Sequence, residues 1–284
     1  MRLSFKLAIL FFTASMLLYG FGENSSLESS VPETPVVAGQ TTKIANLPKK
    51  IKESSGLEEA DQPGTFYTHN DANNPAELFK IDQNGKLLAT ISLAPIENVD
   101  WEDLARDDKG HIYIADTGNN SNKRKKLKIY KLNPEQPEEV AEITFEYADR
   151  KAGTADKDHF EFDCEAIFWY RSNLYLTIKD RNDGLARLYK VPDQPGDHEA
   201  KPIGSYRVNA PITAADISPD GTTLLLLSTG KLHLFRPEGE RKMLGGKMQT
   251  LDLGKVGQTE AAVFTDNKTI VLTSEQGNMY RYKL

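Results

Sequence analysis

The sequence predicts an all-β fold, a β-propeller of about five four-stranded blades closed by an N-terminal strand. Three observations lead there. Five similar short segments recur along the chain, their spacing matches a blade, and helical periodicity is absent over any window long enough to matter. The segments are Glu53-Ser-Ser-Gly-Leu57, Asp100-Trp-Glu-Asp-Leu104, Asp163-Cys-Glu-Ala-Ile167, Thr213-Ala-Ala-Asp-Ile217 and Gln258-Thr-Glu-Ala-Ala262. Their starts lie 47, 63, 50 and 45 residues apart, against roughly 40–50 for one propeller blade. The polar stretch from Ala148 to Asp158 lengthens the second interval and reads as a loop insertion.

Residues 1–22 read as a signal peptide. Arg2 and Lys6 form a positive start, and Leu7 to Phe21 is an apolar run without charge. A run of about 15 residues is short for a membrane span, which needs about 20. Gly20 and Gly22 are small enough to permit cleavage before Glu23; an uncleaved anchor is the alternative. Residues 23–40 are rich in Ser, Glu, Pro, Thr and Gly and read as a flexible linker. Residues 41–284 are the propeller domain.

Each repeated segment opens an inner strand. Second strands follow at Thr65–Thr68, Ile112–Ala115, Leu174–Thr177, Leu224–Leu227 and Ile270–Thr273. Third strands follow at Glu77–Ile81, Leu127–Leu132, Arg187–Val191, Lys231–Phe235 and Met279–Leu284. Most alternate apolar and polar residues, as a sheet with one face on its neighbour requires. Fourth strands fit Leu87–Leu93, Glu139–Tyr147, Lys201–Val208 and Met243–Leu253. The last repeat ends at its third strand, so Thr41–Leu47 is expected to pair beside Met279–Leu284, closing the ring and covering an edge. A two-sheet sandwich is the competing architecture.

Composition narrows the function. The chain has 284 residues, 39% hydrophobic and 27% charged, ordinary for a globular protein. Its formal net charge is -6, and loss of residues 1–22 removes two cations and no acid. An acidic mature form argues against nucleic-acid binding, which uses a basic face. No stable membrane span is expected after signal cleavage. Cys164 is the single cysteine, so no internal disulfide forms after export.

The repeat geometry gathers acids. Glu53, Asp100, Glu102, Asp163, Glu165 and Glu260 should converge at one channel mouth, as candidate metal ligands. The loops joining second and third strands return to that face, bringing Asn70, Asp71, Asp116, Asn119, Asn120, Asp180 and Asn182. These hard oxygen donors suit Ca²⁺ or Mg²⁺ rather than zinc. Without a cation, the crowded carboxylates would repel and some would take a proton. A structural reading competes: such acids also hydrogen-bond the backbone amides of the next blade. Ala214 is read as the place where the fourth repeat lacks the Glu of the others, leaving the ring open on one side.

His69 could serve as a general acid or base, or be a solvated loop histidine. Lys123-Arg-Lys-Lys126, with Lys123 and Arg124 foremost, could hold an anionic group or be a solvated turn. Cys164 reads as a buried, inert thiol, because neighbouring acids raise its pKa. Ser54 and Ser55 have no partner histidine at a known spacing and no nucleophile elbow.

Asp100-Trp-Glu-Asp-Leu, Ile112-Tyr-Ile-Ala-Asp-Thr-Gly-Asn-Asn120, Asp163-Cys-Glu-Ala-Ile and Ile212-Thr-Ala-Ala-Asp-Ile-Ser-Pro-Asp-Gly221 together resemble a group of secreted bacterial propellers. With Glu53-Ser-Ser-Gly-Leu57, the pattern is similar to the SdiA-regulated propeller family, which implies association with calcium. More distantly, the Glu motifs are similar to gluconolactonase-like propellers. That likeness implies a cation held by Glu53, Glu102, Glu165 and Asn119 that polarises a lactone carbonyl. The expected function is an exported binding propeller, secreted or periplasmic. It would carry a calcium and ligand site at one mouth and take a small molecule or an envelope protein as partner. The alternative is a metal-dependent hydrolase of lactones or phosphoesters.

Overall fold

In the computed structural model, residues 28–29, 37–38, 40–152, 162–179 and 183–284 are described. The expected signal peptide, most of the expected linker, Asp180, Asn182 and the insertion beyond residue 152 lie outside the described residues. Short apolar or alternating runs, separated by turn residues, become strands throughout.

Two dipeptide strands, β1 (Glu28–Ser29) and β2 (Val37–Ala38), precede β3 (Gln40–Asn46). Four antiparallel strands then form a first meander: β4 (Ser54–Glu59), β5 (Thr65–Asn70), β6 (Glu77–Asp82) and β7 (Leu87–Ser92). The second is β8 (Trp101–Arg106), β9 (Ile112–Asp116), β10 (Leu127–Asn133) and β11 (Gln136–Tyr147), followed by the short helix α1 (Ala148–Ala152). The third is β12 (Cys164–Tyr170), β13 (Asn173–Ile178), β14 (Leu185–Pro192) and β15 (Gly196–Arg207). The fourth is β16 (Ala214–Ile217), β17 (Leu224–Ser228), β18 (Lys231–Phe235) and β19 (Gln249–Asp252). The fifth takes β20 (Thr259–Asp266), β21 (Thr269–Ser274) and β22 (Asn278–Lys283), and its fourth strand is β3.

The order of inner strands closes on itself. β4 packs on β8, β8 on β12, β12 on β16, β16 on β20, and β20 back on β4. A sandwich would not close in this way; the fold is a β-propeller. Closure by the N-terminal strand is as expected, with β3 antiparallel to β22 from Asn278↔Asn46 to Lys283↔Gln40. It covers an edge that would otherwise invite pairing with another chain. β11 and β15 also pair in parallel through Ile143–Tyr147 and Gly196–Ala200, joining the second and third meanders. β1 adds to β15 and β2 to β19, both in parallel.

Each interface between successive meanders holds its own apolar core. Tyr67, Leu78, Trp101 and Ile114 fill the first, and Tyr113, Phe145, Ile167 and Tyr189 the second. Phe168, Tyr206, Leu226 and Phe235 fill the third, and Leu225, Leu251, Leu272 and Tyr282 the fourth. Phe79, Val271 and Met279 pack across the closing interface. Fully burying such side chains contributes about 1.5–3 kcal/mol each. Three of the second strands are buried along their whole length and β13 and β21 along all but their first residue, which is why Leu224 to Leu227 reads as an unbroken apolar run.

One element departs from expectation. Met243–Leu253 is not one strand; β19 is shorter, and Glu240–Lys242 forms a single 3-10 turn before it. Gly246, at φ 76°, interrupts the extended backbone. Met243, Leu244 and Met248 instead plug the core between the third and fourth meanders.

Candidate functional site

The acidic mouth is built by a repeated irregularity in the inner strands. Along β4, the pairing steps from Ser54↔Asn70 to Gly56↔His69, leaving Ser55 as an extra residue. The same step occurs in β12 around Glu165 and in β20 around Glu260. In β8 it falls between Trp101 and Leu104, at Glu102-Asp103. A β-bulge re-aims the side chain it carries. Ser55, Glu102, Glu165 and Glu260 all line one cavity of about 120 Å³. β16 pairs without a bulge, Ala214↔Leu227 then Ala215↔Leu226, and sends no side chain there. The third residue of the fourth repeat segment is Ala215, so Ala215, not Ala214, stands where Glu102, Glu165 and Glu260 stand in three of the others.

A second repeated feature supplies the facing wall. The first residue after three second strands, and the second after β9, donates its amide to the carbonyl of the residue that opens the repeat. The pairs are Asp71 to Glu53 at 3.1 Å, Gly118 to Asp100 at 3.1 Å, Lys179 to Asp163 at 2.8 Å and Glu275 to Gln258 at 2.9 Å. Asp71, Lys179 and Glu275 thus face the bulged acids across the cavity. Gly118 makes room instead: a Cβ there would overlap Glu102 Oε1 and Asp100 Oδ2.

Asp71, Asp100 and Glu102 each place a carboxylate oxygen within 4.8 Å of the others, and so do Glu102, Asp163 and Glu165. Burial, then the charges of Glu165, Asp71 and Asp100, pushes the Glu102 carboxyl well above the usual range. Burial lifts Glu165 to about 8, although Lys179, with Nζ 2.7 Å from Glu165 Oε2, opposes the rise. Asp100 is lifted to about 6 by burial and by Asp71 and Asp163. Gln258 spans the far side, donating to Glu260 Oε1 at 2.9 Å and Glu275 Oε1 at 2.7 Å. The donor set fits a hard divalent cation: oxygen only, crowded, and bearing charge that a cation would neutralise. Asp71, Asp100 and Glu102 suit it best, because Lys179 already occupies the Glu165 side.

The six expected acidic ligands are thus placed as follows. Asp100, Glu102, Asp163 and Glu165 belong to the two groups above, while Glu53 and Glu260 line the same cavity outside them. Asp163 also performs the structural role, its Oδ1 accepting Asn119 N at 2.6 Å. The acids that most fully follow that role are Asp103, next to Glu102, and Asp216, next to Ala215. Asp103 Oδ2 accepts Ile167 N at 2.9 Å, and Asp216 Oδ2 accepts Phe264 N at 2.6 Å, each across to the next inner strand.

Of the loop residues, Asp71 and Asn120 reach the cavity. Asn70 does not: its Oδ1 accepts Lys52 N at 2.9 Å and its Nδ2 donates to Lys50 O. Asp116 Oδ1 accepts Arg124 Nη2 at 2.8 Å, and Asn119 is tied to Arg124 and Phe162. Arg124 also donates to Gly118 O at 2.7 Å, so these residues shape the loop behind the site. Lys123 is exposed and does not line the cavity. His69 is neither solvated nor at the mouth. It is 0% exposed, donates Nδ1–H to Asn70 O at 3.0 Å and meets Trp101 edge-on at 5.5 Å. Burial lowers its pKa to about 4, leaving it neutral. Cys164 is buried as expected, and burial pushes its thiol up to about 12.

Sequence reasoning missed Lys179, Glu275, Gln258 and Ser55. Lys179 and Glu275 stand two residues past the second-strand ends expected at Thr177 and Thr273, and a count from those ends would have found them. Among the described residues, no helix is long and apolar enough to cross a membrane.

No protein-family model matches the chain, and no curated protein matches it. Among solved structures it is similar to the PQQ-bound aldose sugar dehydrogenase of Streptomyces coelicolor, at 12% identity and TM-score 0.51, over 88% of this chain and 99% of that one. It is also similar to a putative gluconolactonase, at 11% identity and TM-score 0.48, over 79% of this chain and 72% of that one. A chain of the mitotic checkpoint complex aligns at 9% identity and TM-score 0.42 over 80% of this chain, which spans 60% of that chain's length. At such identities the likeness reaches the fold and nothing further: the architecture shared with the Streptomyces enzyme is that of a β-propeller.

Proposed function

We propose that this chain is an exported binding propeller whose acidic mouth holds a calcium ion and, through it, a small oxygen-rich ligand. The bulges carry this reading, since they aim Glu102, Glu165 and Glu260 into one small cavity. Asp71, Asp100 and Glu102 would hold the ion, with Ser55 and Asn120 adding neutral oxygens nearby. Calcium takes six to eight oxygen ligands, so roughly half would come from water or the ligand. A cavity of about 120 Å³ has room for about four waters, which suits an ion with its waters or the acidic or hydroxyl end of a ligand. Export rests on the charged and apolar residues 1–22, with an envelope protein as the other partner class. The hydrolase alternative relied on His69 as proton carrier, and that histidine is sealed behind Trp101.

Calcium titration of the chelator-treated protein tests the reading, with calorimetric heat and melting temperature recorded together. Wild type should bind and melt higher; Glu102→Gln should bind at least about tenfold more weakly, a loss of about 1.4 kcal/mol. Without calcium the variant should melt no lower than wild type, because a repelled buried carboxyl has gone. Absence of both heat and melting shift, or equal binding by Glu102→Gln, would remove the ion from this mouth.

A further inference from the structure

The ring has a second mouth, at the opposite ends of the inner strands. Every inner strand contributes to it near its last residue, and Glu58, Arg106, Trp169, Tyr170, Asp216 and Phe264 line a cavity of about 550 Å³. That is the size of a small-molecule site.

Two charged groups there have unmet hydrogen-bonding capacity. Glu58 is only 9% exposed, yet among the described residues its carboxyl has no hydrogen-bond or ion-pair partner. The adjacent carboxyls Asp103 and Asp216 are both anchored on backbone amides. The Glu58 oxygens are not sealed in the interior but open onto the cavity. Arg106 supplies the complement: its Nε is buried without an acceptor, and its nearest carboxylate is Asp61 at 3.7 Å. Glu58 and Arg106 do not form a pair, and burial holds the Glu58 carboxyl well above its usual range, so that an ammonium bound beside it would draw it into its charged form. The space between them is part of the cavity.

We infer that this mouth binds a small zwitterion of the α-amino-acid class, its ammonium on Glu58, its carboxylate on Arg106 and its apolar side chain against Trp169, Tyr170 and Phe264. The charge distribution selects this chemistry. A simple cation would meet Arg106 and Arg171, and a simple anion would meet Glu58, Glu59 and Asp216. A molecule carrying both charges satisfies both walls. The guanidinium is a fork matched to a carboxylate, and aromatic faces suit both an apolar body and a nearby ammonium. Hydrogen bonding of Trp169 Nε1 to Asp193 Oδ2 at 2.8 Å fixes one of those faces, and Arg171 lies over Tyr170 at 5.0 Å. The site is distinct from the acidic mouth and does not depend on a cation there.

Calorimetric titration with L-phenylalanine, phenethylamine and hydrocinnamate near neutral pH tests it. Phenylalanine should bind, and each half-ligand should bind at least about tenfold more weakly, since each leaves one charged wall unpaired. Glu58→Gln should weaken phenylalanine and phenethylamine and spare hydrocinnamate; Arg106→Gln should weaken phenylalanine and hydrocinnamate and spare phenethylamine. Glu102→Gln, at the other mouth, should leave phenylalanine binding unchanged even if calcium binding is lost. No heat from any of the three probes, or equal affinity of phenylalanine and its half-ligands, would overturn the assignment. The half-ligand comparison uses wild type alone, so it decides the matter even where a variant folds poorly.

Discussion

Raising the pH of the metal-free protein from about 6.5 to about 8.5, above the range in which the unfolded-state counterparts of the buried, neutral His69 and His233 release their protons, should destabilise it by a few kcal/mol, and calcium should restore part of that loss. The sign follows from proton counting. Glu165 titrates at about 8 and Asp100 at about 6 in the native state, and Glu102 is raised as well. Unfolded carboxyls titrate near 4, so across this window the native state holds protons that the unfolded state has released. Stability is therefore complete below the unfolded pKa and falls as pH rises through the native ones. Calcium at the acidic mouth replaces those protons. Asp216, raised to about 7, and Glu58 lie at the other mouth and contribute the same sign where that calcium does not reach, so recovery should be partial. Melting temperatures across the pH series, in chelator and in calcium, measure both curves. A metal-free curve that is flat or rises with pH would show that the acids are not crowded as described.

Gly118→Ala should abolish calcium binding while lowering the metal-free melting temperature only modestly. The new methyl would overlap Glu102 Oε1 and Asp100 Oδ2, the ends of side chains rather than backbone. Those carboxylates can swing aside, so the stability cost should stay within the ~1–3 kcal/mol typical of overpacking. Their oxygens would then leave the positions that a cation needs. Calorimetry should show calcium affinity reduced by about two orders of magnitude, or about 2.7 kcal/mol. Unchanged affinity would mean that Asp100 and Glu102 do not form the site.

Much of the fold was legible because a propeller prints its period. Five openings such as Asp100-Trp-Glu-Asp-Leu104 and Asp163-Cys-Glu-Ala-Ile167, each with two short strands after it, gave the meanders, and the missing last strand pointed to Thr41–Leu47. The site was legible only in outline. Adjacent carboxylic acids do different work: Glu102 enters the cavity while Asp103 holds the amide of Ile167. The bulge that separates them is a property of strand pairing, invisible in residue type. Burial misled in a second way, since His69-Asn-Asp71 looks like a polar loop, yet only Asp71 lies beyond the end of β5. Asp116, Asn119 and Arg124 look like ligands because the hydrogen bonds that consume them come from a loop closing on itself.

If bulged inner strands crowd carboxylates at one mouth so that a divalent cation can sit there, the ion should be visible in place. A crystal structure grown with calcium, with an anomalous difference map, is the decisive observation. One strong peak is expected about 2.3–2.6 Å from oxygens of Asp71, Asp100 and Glu102, absent from Glu102→Gln crystals. A well-ordered mouth without a peak at millimolar calcium, or a peak that survives the substitution, would contradict the calcium site.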